Sequence, residues 1–437
     1  MKKVAIIGGG VIGLSLAYYL TKNGDSVTII EKSNEVGGLA SGFKIEGQSL
    51  EKFYHHLFRS DKDIQELFNE LGIGTKLKWI RSEMGFFDGG NLYDFSTSFD
   101  LVKFPPVPFL DRIRAGLVSL YLQKSRNYKK FENITAIDWC NKYFGKRFTN
   151  IVWKQLLQAK FGEKYYDKVS MTWLWARIRD RSSSRKNVIS GEYLGYPEGS
   201  FSVFIDALQK YLVSHGVTIY TESSLVKALY KKNRKMPHFI SWTDQSGKLL
   251  KDSFNVVVVT TSPNIFKKFF NIGKKYLQKL DQIKYLGAFC MVLKLKKSFS
   301  KYYWLNITDK DFPFLAVVEH TNFVSKDLFN GFTVLYICKY LDLSDPLFNK
   351  SEIEIFSLII QNLQKINKNF DKSWIVDRYY FKTEFAQHVV SLGHKPISYE
   401  TGIDGLYYAN FSQIYPHDRG MNYAVAQAKE LFKIINK

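Results

Sequence analysis

The sequence predicts an α/β chain that opens with a doubly wound, Rossmann-like dinucleotide-binding unit. Three observations predict it. Val4-Ala5-Ile6-Ile7 is a continuous apolar run of the kind that forms a buried parallel strand, and Gly8-Gly9-Gly10-Val11-Ile12-Gly13 follows it without a gap. From Val11 the run LSLAYYL reads as a helix that starts where the glycines end. Ser26-Val27-Thr28-Ile29-Ile30 then supplies a second strand, which ends on the acid Glu31 about 20 residues further on.

Each part of this G-x-G-x-x-G unit has a physical task. Gly8 permits the tight turn, Gly10 lets the backbone approach a pyrophosphate, and Gly13 lets helix and strand pack closely. The N–H groups at Val11 and Ile12 belong to a helix N-terminus, which favours phosphate. Glu31, followed by Lys32, ends the second strand where a carboxylate accepts hydrogen bonds from the adenosine ribose and repels a 2′-phosphate.

A second glycine pair follows in Glu35-Val36-Gly37-Gly38-Leu39-Ala40-Ser41, and an NAD dehydrogenase does not need it. This arrangement resembles the large flavoprotein superfamily that contains amine oxidases, protoporphyrinogen oxidases, phytoene desaturases and UDP-galactopyranose mutases. The resemblance implies non-covalent FAD, with Gly37, Gly38, Leu39 and Ala40 beside the cofactor. Many members carry Arg after the glycine pair. Leu39 stands there instead, so that phosphate contact has to come from backbone N–H groups or another side chain.

The resemblance extends along the chain. Phe53-Tyr54-His55-His56-Leu57-Phe58 falls where UDP-galactopyranose mutases have a histidine-containing segment, so it is expected beside the isoalloxazine, with His55 or His56 delivering a proton or polarising the flavin. Gly195-Tyr196-Pro197-Glu198-Gly199-Ser200, the helix FSVFIDALQKYLVSHG and the strand Val217–Tyr220 match the superfamily's return into the FAD domain, which implies an adenine contact from the backbone near Val226. Asn255 to Thr261 reads as another buried strand. At the C-terminus, Gly405 to Asn410 reads as a last strand, and Tyr415-Pro416-His417-Asp418-Arg419-Gly420 leads into a helix from Met421 to about Ile435. Here the resemblance implies that Asp418, Gly420 and Met421 hold the ribityl-pyrophosphate region while the helix N-terminus faces the pyrimidine end of the flavin. Asp418 is thus expected to govern the flavin more than the stability of the fold.

The predicted fold class is therefore a Rossmann-like FAD-binding domain of the glutathione-reductase-like class, interleaved with an α+β substrate domain. The FAD-binding domain is expected at residues 1–60, 195–283 and 382–437. The substrate domain is expected at 61–194, where helical periodicity dominates, and at 284–381, where GAFCMVLKLK and FTVLYICKYL read as strands and EIEIFSLIIQNLQKI as a helix. No internal repeat or low-complexity tract appears. Lys103 to Leu110 is a proline-rich turn, and the basic helix after it, DRIRAGLVSLYLQKSRNYKK, has one apolar side. Two readings stand for it: a membrane-surface element, or a helix packed on the core with a solvated basic end.

Because a bound flavin carries redox chemistry itself, the chain has to position a substrate, tune the ring and exclude water. Ser-His-Asp order, metal-ligand spacing and a Walker loop are all absent from the sequence, and Tyr54-His55-His56 lacks a third ligand, so no metal is expected. In the substrate domain, Tyr302-Tyr303-Trp304-Leu305-Asn306 and Glu319-His320-Thr321-Asn322 combine rings with polar groups. Tyr303, Trp304, Asn322 and, near the C-terminal helix, Tyr415 are candidate substrate contacts. His320 is the expected substrate-domain base, with Glu319 orienting it only if the strand twists, since neighbours on a strand point to opposite faces. Trp173, Trp175, Arg177 and Arg179 sit on one predicted helix and offer a flat, cationic wall to an anionic ligand, although their alternating spacing does not share one face.

Composition bounds the function classes. The 437 residues suggest two or three domains, and 45% hydrophobic with 24% charged residues is ordinary for a globular chain. The net charge of +21 attracts polyanions, but the lysines are scattered and no nucleic-acid motif is present. An anionic membrane surface or anionic substrate fits better than nucleic acid. Cys140, Cys290 and Cys338 form no C-x-x-C and are expected as buried free thiols in a reducing compartment. With the first strand at Val4 and no apolar run of ~18 residues, a cytoplasmic or peripheral protein without a signal peptide is expected. The favoured function is an FAD-dependent oxidoreductase acting on a largely apolar, membrane-associated small molecule such as a porphyrinogen or isoprenoid lipid. The alternatives are a sugar-nucleotide mutase that uses reduced flavin without net redox change, drawing on Arg177, Arg179 and Arg181, and a catalytically silent flavoprotein that serves as an assembly partner.

Overall fold

The β-branched runs pair into one five-stranded parallel sheet in the order Leu406–Tyr408, Val256–Val259, Lys3–Ile7, Ser26–Ile30, Thr218–Tyr220. The computed structural model describes residues 1–185, 191–230, 238–309 and 312–437. Alternate residues of the central strands serve two cores, as a period of two demands. Val4, Ile6 and Val258 pack with the helices Val11–Lys22, Ser202–Ser214 and Met421–Ile435, whereas Ala5, Ile7, Val257 and Val259 face Ile240, Trp242 and Phe254 of a three-stranded antiparallel sheet. Burial on both faces explains why these strands read as continuous apolar runs and do not alternate.

A seven-stranded sheet forms the second half, in the order Ile375–His388, Tyr285–Leu295, Thr333–Leu341, Ala316–Glu319, Trp304–Ile307, Met84–Asp88, Asn91–Asp94. The helix Glu352–Ile366 covers one face, with Ile355, Ile359 and Leu363 against Met291, Leu293 and Ile337. The other face turns toward the parallel sheet's half through Cys290, Val292 and Tyr336, and the Tyr336 hydroxyl donates to the Glu51 carbonyl at 2.9 Å. A helical lobe of Phe109–Lys124, Ala136–Tyr143, Lys154–Phe161 and Met171–Ser183 closes over a ring-rich core that includes Phe104, Phe131, Trp139, Phe144 and Trp175.

Three sequence expectations change. The stretch 61–194 also carries strands: Met84–Asp88 joins the large sheet through parallel pairing with Trp304–Ile307, a long-range contact that no local period reports. The large sheet does not end at residue 381, because Ile375–His388 stays paired with Tyr285–Leu295 as far as His388. Cys290 and Cys338 face each other on paired strands with Cα atoms 4.3 Å apart and are joined as a disulfide, so only Cys140 is a free buried thiol.

Candidate cofactor and substrate site

The two glycine motifs meet in space. Gly37 donates its N–H to the Gly9 carbonyl at 2.8 Å, and Gly10 and Gly37 form a short parallel bridge. Gly8 has φ 110°, which only glycine adopts freely, and a Cβ on Gly13 would lie 2.1 Å from the Gly8 carbonyl oxygen. A Cβ on Gly10, by contrast, would meet nothing within 4 Å. Open space over Gly10 beside an uncapped helix N-terminus with no acid in its first turn is what a pyrophosphate needs. Glu31 holds its carboxylate at the edge of this space, accepting from the N–H groups of Gly9 at 2.6 Å and Ser33 at 2.8 Å. Lys32 is exposed next to it, Leu39 is half-buried and Ala40 is buried. Val226 lies on the strand Ser224–Leu229, where the register shifts between Leu225 and Lys227, so it falls outside the ladder with the neighbouring strand. These residues fit the adenosine and pyrophosphate of a dinucleotide, and the chemistry of the donor set is what such a group requires.

A second cluster lies between the two halves. Tyr54, His55, His56, Lys160, Arg177, Arg181, Trp304, Tyr340 and Arg419 are each half-buried and lie close enough for their charges and rings to act on one another, and we read them as the lining of a cleft. The Tyr54 ring meets Trp304 edge-on at 4.8 Å, His56 lies 6.1 Å from Trp304, and the Arg181 guanidinium sits 6.0 Å over the Trp304 ring. The Tyr303 hydroxyl is 3.4 Å from His56 Nδ1. Burial, then the charges of Arg181 and Arg177, push His56 well below the ordinary histidine range, and burial with Arg419 brings His55 down to about 4. Both rings are therefore neutral at pH 7. Beneath them Glu51 accepts from the Tyr196 hydroxyl at 2.9 Å and the Phe201 N–H at 2.6 Å, and burial raises it to about 7.

The helix Met171–Ser183 sorts its residues by the helical period. Trp173, Arg177 and Arg181, four residues apart, face the cleft and the C-terminal loop. Trp175 and Arg179 turn away: the Trp175 indole donates to the Ser125 carbonyl at 3.2 Å, and Arg179 stacks 5.3 Å over Trp175.

Several expected sites move. Asp418 does not open onto the helix N-terminus; its oxygens take Lys160 Nζ at 2.5 Å, the Trp173 indole at 3.1 Å, the Gln387 amide at 3.0 Å and Arg177 Nε at 3.7 Å. Its buried carboxylate is thus committed to half-buried cations, and the helix at Met421 starts from Gly420 with no side-chain cap. His320 is enclosed by Tyr196, Phe329 and Tyr336, 3% exposed, and burial lowers it to about 3, so it is a core ring and not a base facing a substrate. Glu319 points the other way and accepts from Ser298, Phe299 and Ser300. Asn322 donates to the carbonyls of Ser300 and Tyr302 on the surface, and the Tyr415 hydroxyl donates to Glu132 at 3.1 Å, so both hold loops. Tyr303 is 1% exposed and backs His56 without lining the cleft. Lys160, Tyr340 and Arg419 escaped the sequence reading because no motif carries them; for Arg177 and Arg181 the i, i+4 spacing was the available signal.

A family model described as flavin containing amine oxidoreductase matches residues 13–429. The chain is 25% identical over 304 residues to coproporphyrinogen III oxidase of Staphylococcus aureus, a match that spans 62% of this chain and 62% of that enzyme's length. It is 36% identical over 107 residues to 15-cis-phytoene desaturase of Arabidopsis thaliana, covering 24% of this chain and 19% of that one. Among solved structures, an oxidoreductase from Methanosarcina mazei aligns with a TM-score of 0.74 at 16% identity over 99% of this chain and 100% of that one. Reduced UDP-galactopyranose mutase aligns with a TM-score of 0.73 at 15% identity over 100% of this chain and 97% of that one. At such identities the alignments establish a shared fold.

Proposed function

The chain belongs to the flavin containing amine oxidoreductase family, with FAD as its cofactor, and from that premise we propose an FAD-dependent oxidoreductase that acts on a largely apolar substrate with an anionic end. The observation that carries this reading is the cleft lining, where Tyr54 and Trp304 offer rings while Arg177 and Arg181, whose Nε atoms lie 3.7 Å from the buried carboxylates of Asp418 and Glu192, offer guanidinium groups from one helix face. A porphyrinogen, with its carboxylate side chains, or an isoprenoid lipid that ends in a phosphate has this division of character. We read residues 1–60, 195–283 and the C-terminal part as the FAD-binding domain and the remainder as the substrate domain. Gly8, Gly10, Val11, Ile12, Gly13, Glu31, Gly37, Gly38, Leu39, Ala40 and the backbone at Val226 would hold the adenine half, while Gly420 and Met421 would meet the flavin end.

Bound FAD supplies the hydride acceptor, or donor, at N5. The chain's own residues do the rest. The aromatic lining excludes water and orients the apolar body, and Arg177 and Arg181 fix the anionic end through charge-assisted hydrogen bonds. His56 is neutral and burial keeps Tyr303 protonated, so the 3.4 Å contact between the Tyr303 hydroxyl and His56 Nδ1 joins two uncharged groups and holds the imidazole against Trp304. As a neutral ring held below the ordinary histidine range, His56 polarises a bound group by hydrogen bonding and carries no proton to deliver at pH 7.

Anaerobic mixing of the purified holoprotein with porphyrinogens, polyenes, amines and UDP-sugars tests the reading. Bleaching of the flavin in step with substrate oxidation is the expected result, with the rate falling about 10²-fold in His56→Ala. Interconversion of UDP-sugars by pre-reduced protein, with no net electron transfer, would overturn it in favour of a mutase.

A further inference from the structure

Phe109, Ile113, Leu117 and Tyr121 follow one another at four-residue spacing along the helix Phe109–Lys124, and they remain 58%, 45%, 65% and 52% exposed. Leu110, at 78%, and Phe99 and Val102 of the preceding short helix Ser98–Val102 extend the same apolar surface. The opposite side of the helix is satisfied, with Ala115 and Leu122 fully buried in the lobe core. Of the two readings of this helix, packing therefore accounts for one side only. A contiguous exposed apolar stripe on a soluble surface marks a contact with something else.

Charge says what that something is. Lys103 stands exposed before the helix, and Lys124, Arg126, Lys129 and Lys130 stand exposed at and beyond its end, so both ends of the stripe are cationic. A second copy of the chain is disfavoured, because a twofold contact through this stripe would press together two molecules of net charge +21. An anionic bilayer meets both requirements at once, with acyl chains for the rings and leucines and headgroup phosphates for the lysines. We propose that this face docks the protein on an anionic membrane surface, the helix lying in the interface plane. No helix among the described residues is long and apolar enough to cross a membrane, so the contact is one of surface burial. The docking helix is tied to the cleft through the hydrogen bond from Trp175 to Ser125, which sets the Arg177 and Arg181 helix directly behind the membrane face. The proposal does not rest on the reaction proposed above.

Flotation of the FAD-loaded protein with vesicles tests it, comparing phosphatidylglycerol mixed into phosphatidylcholine with phosphatidylcholine alone. The wild type is expected to float with the anionic vesicles at low salt and to be released as salt rises. Phe109→Asp/Leu117→Asp and, separately, Lys124→Glu/Lys129→Glu/Lys130→Glu are expected to lower the bound fraction about tenfold, with flavin absorbance and melting temperature unchanged because every substituted side chain is exposed. A wild type that stays in the bottom fraction with both vesicle types would overturn the proposal. So would apolar-stripe variants that float like wild type, or a wild-type dimer that the stripe variant converts to monomer.

Discussion

Asp418→Ala is expected to lower the unfolding free energy by about 3–5 kcal/mol, with or without saturating FAD, because it strips a buried carboxylate from the cations around it. The Asp418 side chain is 6% exposed, and Lys160 and Arg177 beside it are 18% and 27% exposed. Burial alone would raise its carboxyl, but Lys160, Arg177 and Arg419 hold it well below the usual carboxylate range. The two partners are not equally secure: burial pushes Lys160 below the ordinary lysine range even with Asp418 against it, so the carboxylate, with several cations around it, is the stable ion of the pair. Since the folded-state pKa is depressed, this stabilisation is fully present above the unfolded pKa of about 4 and is lost as pH falls below it. The gap in melting temperature between wild type and variant should therefore be constant from pH 8 to about 5 and narrow at lower pH. Melting at the wild-type temperature together with loose FAD would instead place Asp418 on the ribityl chain, as the resemblance alone implied.

Gly13→Ala and Gly10→Ala are expected to fail differently, although both add one methyl group to the same motif. At Gly13 the new Cβ would lie 2.1 Å from the Gly8 carbonyl oxygen and 3.2 Å from Ile6 Cγ2, neither of which can yield without moving the first strand or its helix. Loss of both flavin and several kcal/mol of stability is expected. At Gly10, φ is −72° and the Cβ enters open space, so the apoprotein should melt as wild type does. FAD should nevertheless bind roughly 5–150-fold more weakly, since the methyl occupies the side from which a pyrophosphate approaches. Calorimetry of the apoproteins with FAD titration separates the two, and a Gly10→Ala variant with unchanged FAD affinity would remove the phosphate from this cradle.

The parallel sheet was legible because its physics is local. Val4–Ile7, the glycines and Ser26–Ile30 lie within one short stretch, and burial on both faces leaves an unbroken apolar run. The large sheet was only partly legible, since Met84–Asp88 finds its place through Trp304–Ile307, more than two hundred residues away. The cleft suffered in the same way. His56 and Trp304 could be named as candidates from their segments, but Lys160 and Arg419 acquire meaning only when the Lys154–Phe161 helix and the C-terminal loop meet at Asp418. His320 misled for the converse reason: a histidine beside a glutamate looks like chemistry in a sequence, whereas the fold turns the glutamate to a surface turn and seals the ring among Tyr196, Phe329 and Tyr336.

The most direct test of the central claim is the identity and amount of cofactor carried by the wild-type chain. Heat-denatured protein, its supernatant separated and its flavin identified by chromatography before and after phosphodiesterase treatment, is expected to yield one FAD per chain and no FMN until the pyrophosphate is cleaved. Glu31→Ala should lower the affinity for that FAD by roughly 1–3 kcal/mol through loss of charge-assisted hydrogen bonds to the ribose. A colourless chain that cannot be reconstituted with FAD, or one that takes up FMN equally well, would contradict an adenine-dinucleotide site at Gly8–Gly13 and Glu31.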